Sequence, residues 1–145
     1  MYPHILYGVE VYANTSMSKL DKLCKLNNKL IRILFNKKLN TLVLELYKCI
    51  NALPITELHE MQLLLFVHRC LYHNEQLPEV FHNYFVKMPS VHCHNTRRNL
   101  GIGLHVPGCK ASLGQRCTLY KCTRLWNMIP IDLKVCSSLL FLRGI

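Results

Sequence analysis

Residues 54–73, PITELHEMQLLLFVHRCLYH, constrain the fold more than any other stretch of the chain. Pro54 has the fixed φ that suits a first helical turn, and the residues after it read as helix to about His73. Leu58, Met61, Leu65, His68 and Tyr72 recur at three- and four-residue spacing. Leu63, Leu64, Phe66, Val67 and Leu71 fill the gaps, so the helix is apolar nearly all round. A helix of that kind must be covered on most sides, and it is expected to be the central, most buried element. His59 and His68 lie on it with no carboxylate or cysteine at metal-ligand spacing, and they read as packed side chains. The longest unbroken apolar run, Leu63 to Val67, is far short of the roughly 20 residues that cross a bilayer. No membrane span is expected.

Residues 18–36 form a second helical pattern, opening on Ser18-x-x-Asp21 as a capping box and closing on Lys37 and Lys38. Leu20, Leu23, Leu26, Leu30, Ile33 and Leu34 are expected to share one packed face. Lys22, Lys25, Lys29 and Arg32 form a separate ridge, which reads either as a solvated face or as a contact for phosphate. A further helix is expected over about 40–50. Pro78 opens a short amphipathic turn through Phe85, and Leu119 to Asn127 can form a final short helix. Tyr2 to Ala13 is ambiguous between helix and strand and reads as the remainder of an element that begins earlier.

With 145 residues, half of them apolar, the chain can fill a core of ordinary domain size. The predicted class is mainly α: a bundle of about four helices over residues 1–85, then a basic, loop-rich segment over 86–145. Four of the six glycines fall between 101 and 114, with Pro107 among them, which favours extended loops and short strands over long helix there. Trp126, flanked by Leu125 and Met128, is expected to pin this segment to the helices rather than to stack on a base.

The charge is unevenly distributed. Residues 86–145 carry nine of the 18 lysines and arginines but only one of the eight acids, Asp132. Arg97, Arg98, Lys110, Arg116, Lys121 and Arg124 are spread through this nearly acid-free region, and they read as phosphate contacts or as a solvated basic surface. Lys22, Lys25, Lys29 and Arg32 are the second candidate set. The phosphate backbone of a nucleic acid is the polyanion that such surfaces would hold.

The stretch VHCHNTRR at 91–98 invites other chemistry. His92 and His94 could join Cys109 and Cys117 or Cys122 around zinc, but structural zinc sites draw on tight pairs such as C-x-x-C, which the chain lacks. Cys93 as a nucleophile would need a base, and on an extended strand its neighbours point the other way. The eight cysteines, mostly far apart, read as small buried apolar residues in a reducing compartment. The N-terminus lacks the pattern of a secretory signal, so an intracellular setting, cytoplasmic or nuclear, is expected. Two-metal chemistry on nucleic acids needs converging carboxylates, whereas the chain has two aspartates, Asp21 and Asp132, and no adjacent acidic pair. A phosphate-cradling GxxxxGK[ST] loop is also missing, and Gly101-x-Gly103 lacks the rest of a dinucleotide fingerprint. No catalytic residue, metal or cofactor is assigned.

The order of several strings resembles a known family. LYGVEVYANT at 6–15 is similar to a YG-x-E-x-W/Y stretch, LDKLCKLNNKLIRIL at 20–34 to an L-x-x-L-x-K-x-Q/N-x-K-x-x-R-I helix, HCHNTR at 92–97 to H-x-Y-N-T-R, and RLWNMIPIDLK at 124–134 to LWN-x-x-P-x-x-I/LK. With residues 46–85 between them, these cover about 5–135. Together they resemble the region after the palm in the reverse transcriptase of non-LTR (LINE-type) retrotransposons, arthropod ones especially. His94 replaces the family's tyrosine, and Cys109 stands where an arginine often follows the proline. The resemblance implies a helical thumb-like region with a basic tail that holds template or duplex, and a missing palm as partner. The palm's A-D-D aspartates have no counterpart here, so the isolated chain is expected not to be an enzyme. The alternatives are a protein-interaction module that docks on the palm and a non-functional transposon remnant.

Overall fold

The computed structural model describes residues 2–88 and 102–135. The chain is mainly α, as its apolar periodicity predicts. In order, the helices are α1 (Tyr2–Leu6), α2 (Val9–Tyr12), α3 (Met17–Leu34), α4 (Val43–Cys49), α5 (Ile55–Tyr72), α6 (Ser112–Gln115), α7 (Thr118–Met128) and α8 (Ile131–Val135). Two 3-10 turns, Asn74–Gln76 and Glu79–Phe81, follow α5. Contacts divide the chain into two compact units, residues 1–60 and 61–145. The break falls within α5, which supplies side chains to both.

In the first unit, Tyr2 to Ala13 resolves as two short helices separated by Gly8. Gly8 has a left-handed φ of 68°, a conformation that costs a residue without Cβ little. Val9, Ala13, Leu20 and Ile55 form one buried cluster, and Ile31, Leu46 and Tyr47 form another between α3 and α4. The Asn27 amide donates to the Tyr47 hydroxyl at 2.7 Å, and that hydroxyl donates to Asn28 at 2.9 Å. The donor end of a polar residue at the centre of α3 is thereby partnered, while the buried Asn27 Oδ1 has no hydrogen-bond partner among the described residues.

Three expectations need correction. The packed stripe of α3 is Leu20, Asn27 and Ile31, with Leu23 and Cys24 beside it, whereas Leu26, Leu30, Ile33 and Leu34 are exposed. The spacing of leucines makes the face too wide, because Asn27 takes a core position through Tyr47. The Ser18 capping box does not form either: α3 starts at Met17 with Ser16 in the cap position. Asp21 then lies a full turn inside the helix, where it pairs with Lys25 at 2.6 Å. Both α3 and α4 close on an asparagine with positive φ, Asn36 and Asn51. Lys37 N–H bonds back to Arg32 O at 2.8 Å and Ala52 N–H to Tyr47 O at 3.0 Å, the return bonds of a Schellman motif. The cysteine expectation is the third: Cys70 and Cys122 are buried, but Cys49 and Cys117 are exposed, since their positions at the end of α4 and the start of α7 face water.

Helix α5 carries eight buried side chains, Ile55, Leu58, His59, Leu63, Leu65, Val67, His68 and Cys70, against three on α3; it is the most buried helix described, as expected. In the second unit its Leu63 and Val67 join Leu104, Cys122 and Trp126 in a single core. Phe66 meets Phe81 edge to face at 5.4 Å and Phe85 at 5.8 Å, which anchors the turns after α5. Among the described residues the one antiparallel bridge joins Lys87 and Leu104. It is flanked by Met88 N–H to Gly103 O and His105 N–H to Val86 O, both 2.8 Å.

Candidate nucleic-acid interface

Helix α7 is held by its inner face. Trp126, Cys122 and Thr123 are completely buried. The Trp126 indole donates to Ile102 O at 3.0 Å, and the Cys122 thiol approaches Leu63 O at 3.7 Å. Trp126 is thus the anchor that its apolar neighbours predicted, and it offers no ring face to a base. Asn127 clasps the backbone of Leu104 with both ends of its amide, at 3.0 and 2.8 Å. With one side committed in this way, the 100° helical step leaves Lys121 and Arg124, one turn apart, on the outer side. Arg124 is exposed and Lys121 half-buried.

The turn that leads into α7 carries two more of the candidate cations. Lys110 and Arg116, both exposed, bracket a tight loop closed by the Gln115 amide, which donates to Cys109 O at 3.2 Å. Gly114 leaves room for the Cys109 thiol in this loop. A Cβ there would lie 2.0 Å from Cys109 Sγ, so the thiol would have to swing aside to admit it. Arg116 ends α6, and Cys117, the next residue, caps α7. The loop therefore delivers its cations directly to the start of that helix, whose first turn holds no acid.

Beside α7 lies a groove of about 780 Å³, walled by Ile102, Val106, Ile129 and Ile131, with Arg124 and Lys134 in its lining. That size is within the range of small-molecule clefts. Lys134 Nζ donates to Asn127 O at 3.4 Å, and burial lowers its pKa. Tyr72 bonds to the Lys134 carbonyl and ties α8 to α5. Sequence reading assigned no role to Lys134; its position four residues after Pro130, in the first short helix beyond Trp126, was the available signal.

The other candidates sit differently. Arg97 and Arg98, with His92, Cys93 and His94, lie outside the described residues. On α3, Lys22 and Lys29 are exposed, Lys25 is engaged with Asp21, and Arg32 is half-buried and donates from Nε to Thr41 O at 3.1 Å. The α3 ridge is therefore not a uniform row of open cations. Cys122, considered as a zinc ligand, faces the core, and burial pushes its thiol up to about 12. Among the described residues no three His, Cys, Asp or Glu side chains converge as metal ligands, and no helix is long and apolar enough to cross a membrane. Compared with protein-family models, curated proteins and solved structures, the chain matches none.

Proposed function

We propose that this chain is a non-catalytic part of a retrotransposon RNA-directed DNA polymerase that helps to hold single-stranded RNA or an RNA/DNA duplex. The observation that carries this reading is the outer face of α7. Lys121 and Arg124 project one turn apart from a helix whose opposite side is locked by Trp126 and Asn127, with Lys110 and Arg116 on the closed loop before it. Cations on a rigid element lose little freedom when they meet phosphates, and nearby acids are few: residues 61–145 contain Glu75, Glu79 and Asp132. Phosphate contact also needs no carboxylate cage, which suits a chain with two aspartates. The groove next to Arg124 adds apolar wall where a sugar or base could lie beside a held phosphate. The order of family-like strings along 5–135 supports the polymerase origin, with the palm as the neighbouring domain in the full protein.

The test is fluorescence anisotropy with labelled single-stranded RNA and an RNA/DNA hybrid at low salt, comparing the wild type with Lys121→Glu/Arg124→Glu. The reading expects binding that falls by roughly tenfold or more in the variant, as reversal of two phosphate contacts implies. Equal affinity of the two proteins would refute it.

A further inference from the structure

Helix α3 carries an ordered surface that its own unit does not cover. Leu23, Leu26, Leu30 and Ile33 follow the alternating 3,4 spacing of a coiled-coil seam. Leu23 is half-buried against the core, but Leu26 is 55% exposed, Leu30 37% and Ile33 63%. The inner neighbours of this row, Leu20, Asn27 and Ile31, are buried, so a partner could approach only from the outer side. That outer edge is lined by Lys22 and Lys29, both exposed, seven residues apart and thus stacked at one seam-flanking position. Neither lysine makes an ion pair among the described residues. Asp21, the acid of this helix, lies farther round the exposed side, beyond Lys25, with which it is paired.

From this arrangement we infer that the exposed row of α3 docks an acidic amphipathic helix of another protein, with leucine-like side chains on Leu26, Leu30 and Ile33 and carboxylates on Lys22 and Lys29. The charge pattern selects this occupant over a second copy of the chain. Two α3 helices packed antiparallel through the row would set Lys22 and Lys29 against the same lysines of the other copy, and like charges across a seam oppose association. A parallel pair would need the other flank, which the unit's own core occupies. A nucleic acid would satisfy the lysines but leave the apolar row wet. The surface uses none of the α7 residues and stands apart from the nucleic-acid reading.

The experiment uses the full chain and labelled helical peptides of about two heptads, the length of the row. One peptide carries leucine at the seam and glutamate at the flank; a control carries lysine at the flank. The glutamate peptide should bind the wild type and the lysine peptide should not. Leu26→Gln/Leu30→Gln/Ile33→Gln, which keeps good helix formers on an exposed face, should weaken binding at least about tenfold. Lys22→Glu/Lys29→Glu should transfer preference to the lysine peptide. The inference fails if neither peptide binds or if affinity survives the glutamine substitutions. It fails equally if sedimentation shows a dimer that those substitutions dissolve, which would make the row a self-interface. Displacement of the peptide by RNA that depends on the lysines but not on the apolar row would make it a phosphate surface instead.

Discussion

Asn127 and Leu104 are joined by two hydrogen bonds through one side chain: Leu104 N–H donates to Asn127 Oδ1 at 3.0 Å, and Asn127 Nδ2 donates to Leu104 O at 2.8 Å. The pair fastens α7 to the extended segment at 102–106, while the fully buried Leu104 side chain enters the core beside Trp126. Asn127→Ala would strand both polar groups of the buried Leu104 backbone. The expected cost is about 2 to 3 kcal/mol, from two lost bonds and two desolvated partners. Asn127→Asp should cost a similar amount, because a carboxylate cannot donate to Leu104 O. Urea denaturation followed by tryptophan fluorescence measures both; a midpoint unchanged in either variant would contradict this role.

In the loop that presents Lys110 and Arg116, the Cys109 thiol occupies the space a side chain at 114 would take. Gly114→Ala should displace the Cys109 thiol and open the turn, at about 1 to 3 kcal/mol of overpacking. Cys109→Ala alone should be tolerated, and Cys109→Ala/Gly114→Ala should restore the turn, since the two Cβ positions would then be in ordinary contact at about 3.6 Å. Hydrogen exchange at the Arg116 and Cys117 amides, which donate to Leu113 O and Gly114 O, reads the outcome. It should be faster in Gly114→Ala and close to wild type in the double variant. Equal exchange in the single and double variants would show that the clash is not what keeps glycine there.

The cysteines divide by environment. Burial pushes the thiol of Cys70 up to about 11 and that of Cys122 to about 12, whereas Cys49 and Cys117 are exposed. Thiolate is the reactive form, so iodoacetamide at pH 8 should modify Cys49 and Cys117 in the native protein and leave Cys70 and Cys122 until it unfolds. The same shifts have a stability consequence. Above the ordinary thiol value of 9.0 the unfolded chain releases protons that the folded chain retains. Stability should therefore fall as the pH rises from about 9 towards 12. Mass spectrometry of the labelled peptides tests the assignment, and labelling of Cys122 as fast as Cys117 would overturn it.

Much of this architecture was readable in the residues. The apolar residues set nearly all round the helix at 54–73 located the most buried helix, and the flanking of Trp126 by Leu125 and Met128 marked it as an anchor. What escaped was decided by contacts distant in sequence. Asn27 enters the core of α3 because Tyr47, 20 residues later, meets its amide, and no local pattern announces that partnership. Its burial turns α3 so that leucines which looked like core stay outside. The closures at Asn36 and Asn51 were legible in principle, since asparagine tolerates positive φ better than most residues, but the lysines after α3 offered a competing stop signal through the helix dipole. At the candidate site, the charge asymmetry nominated Lys121 and Arg124 as candidates. Lys134 was not separable from any other surface lysine until α8 folded it against Asn127.

Contact between phosphates and the outer face of α7, with its preceding loop, is tested most directly by the slope of log K against log salt for single-stranded RNA. Four contacts, from Lys110, Arg116, Lys121 and Arg124, predict a slope of about −3, shallower by about one and a half in Lys121→Ala/Arg124→Ala. A slope near zero, or one that the double substitution leaves unchanged, would contradict it.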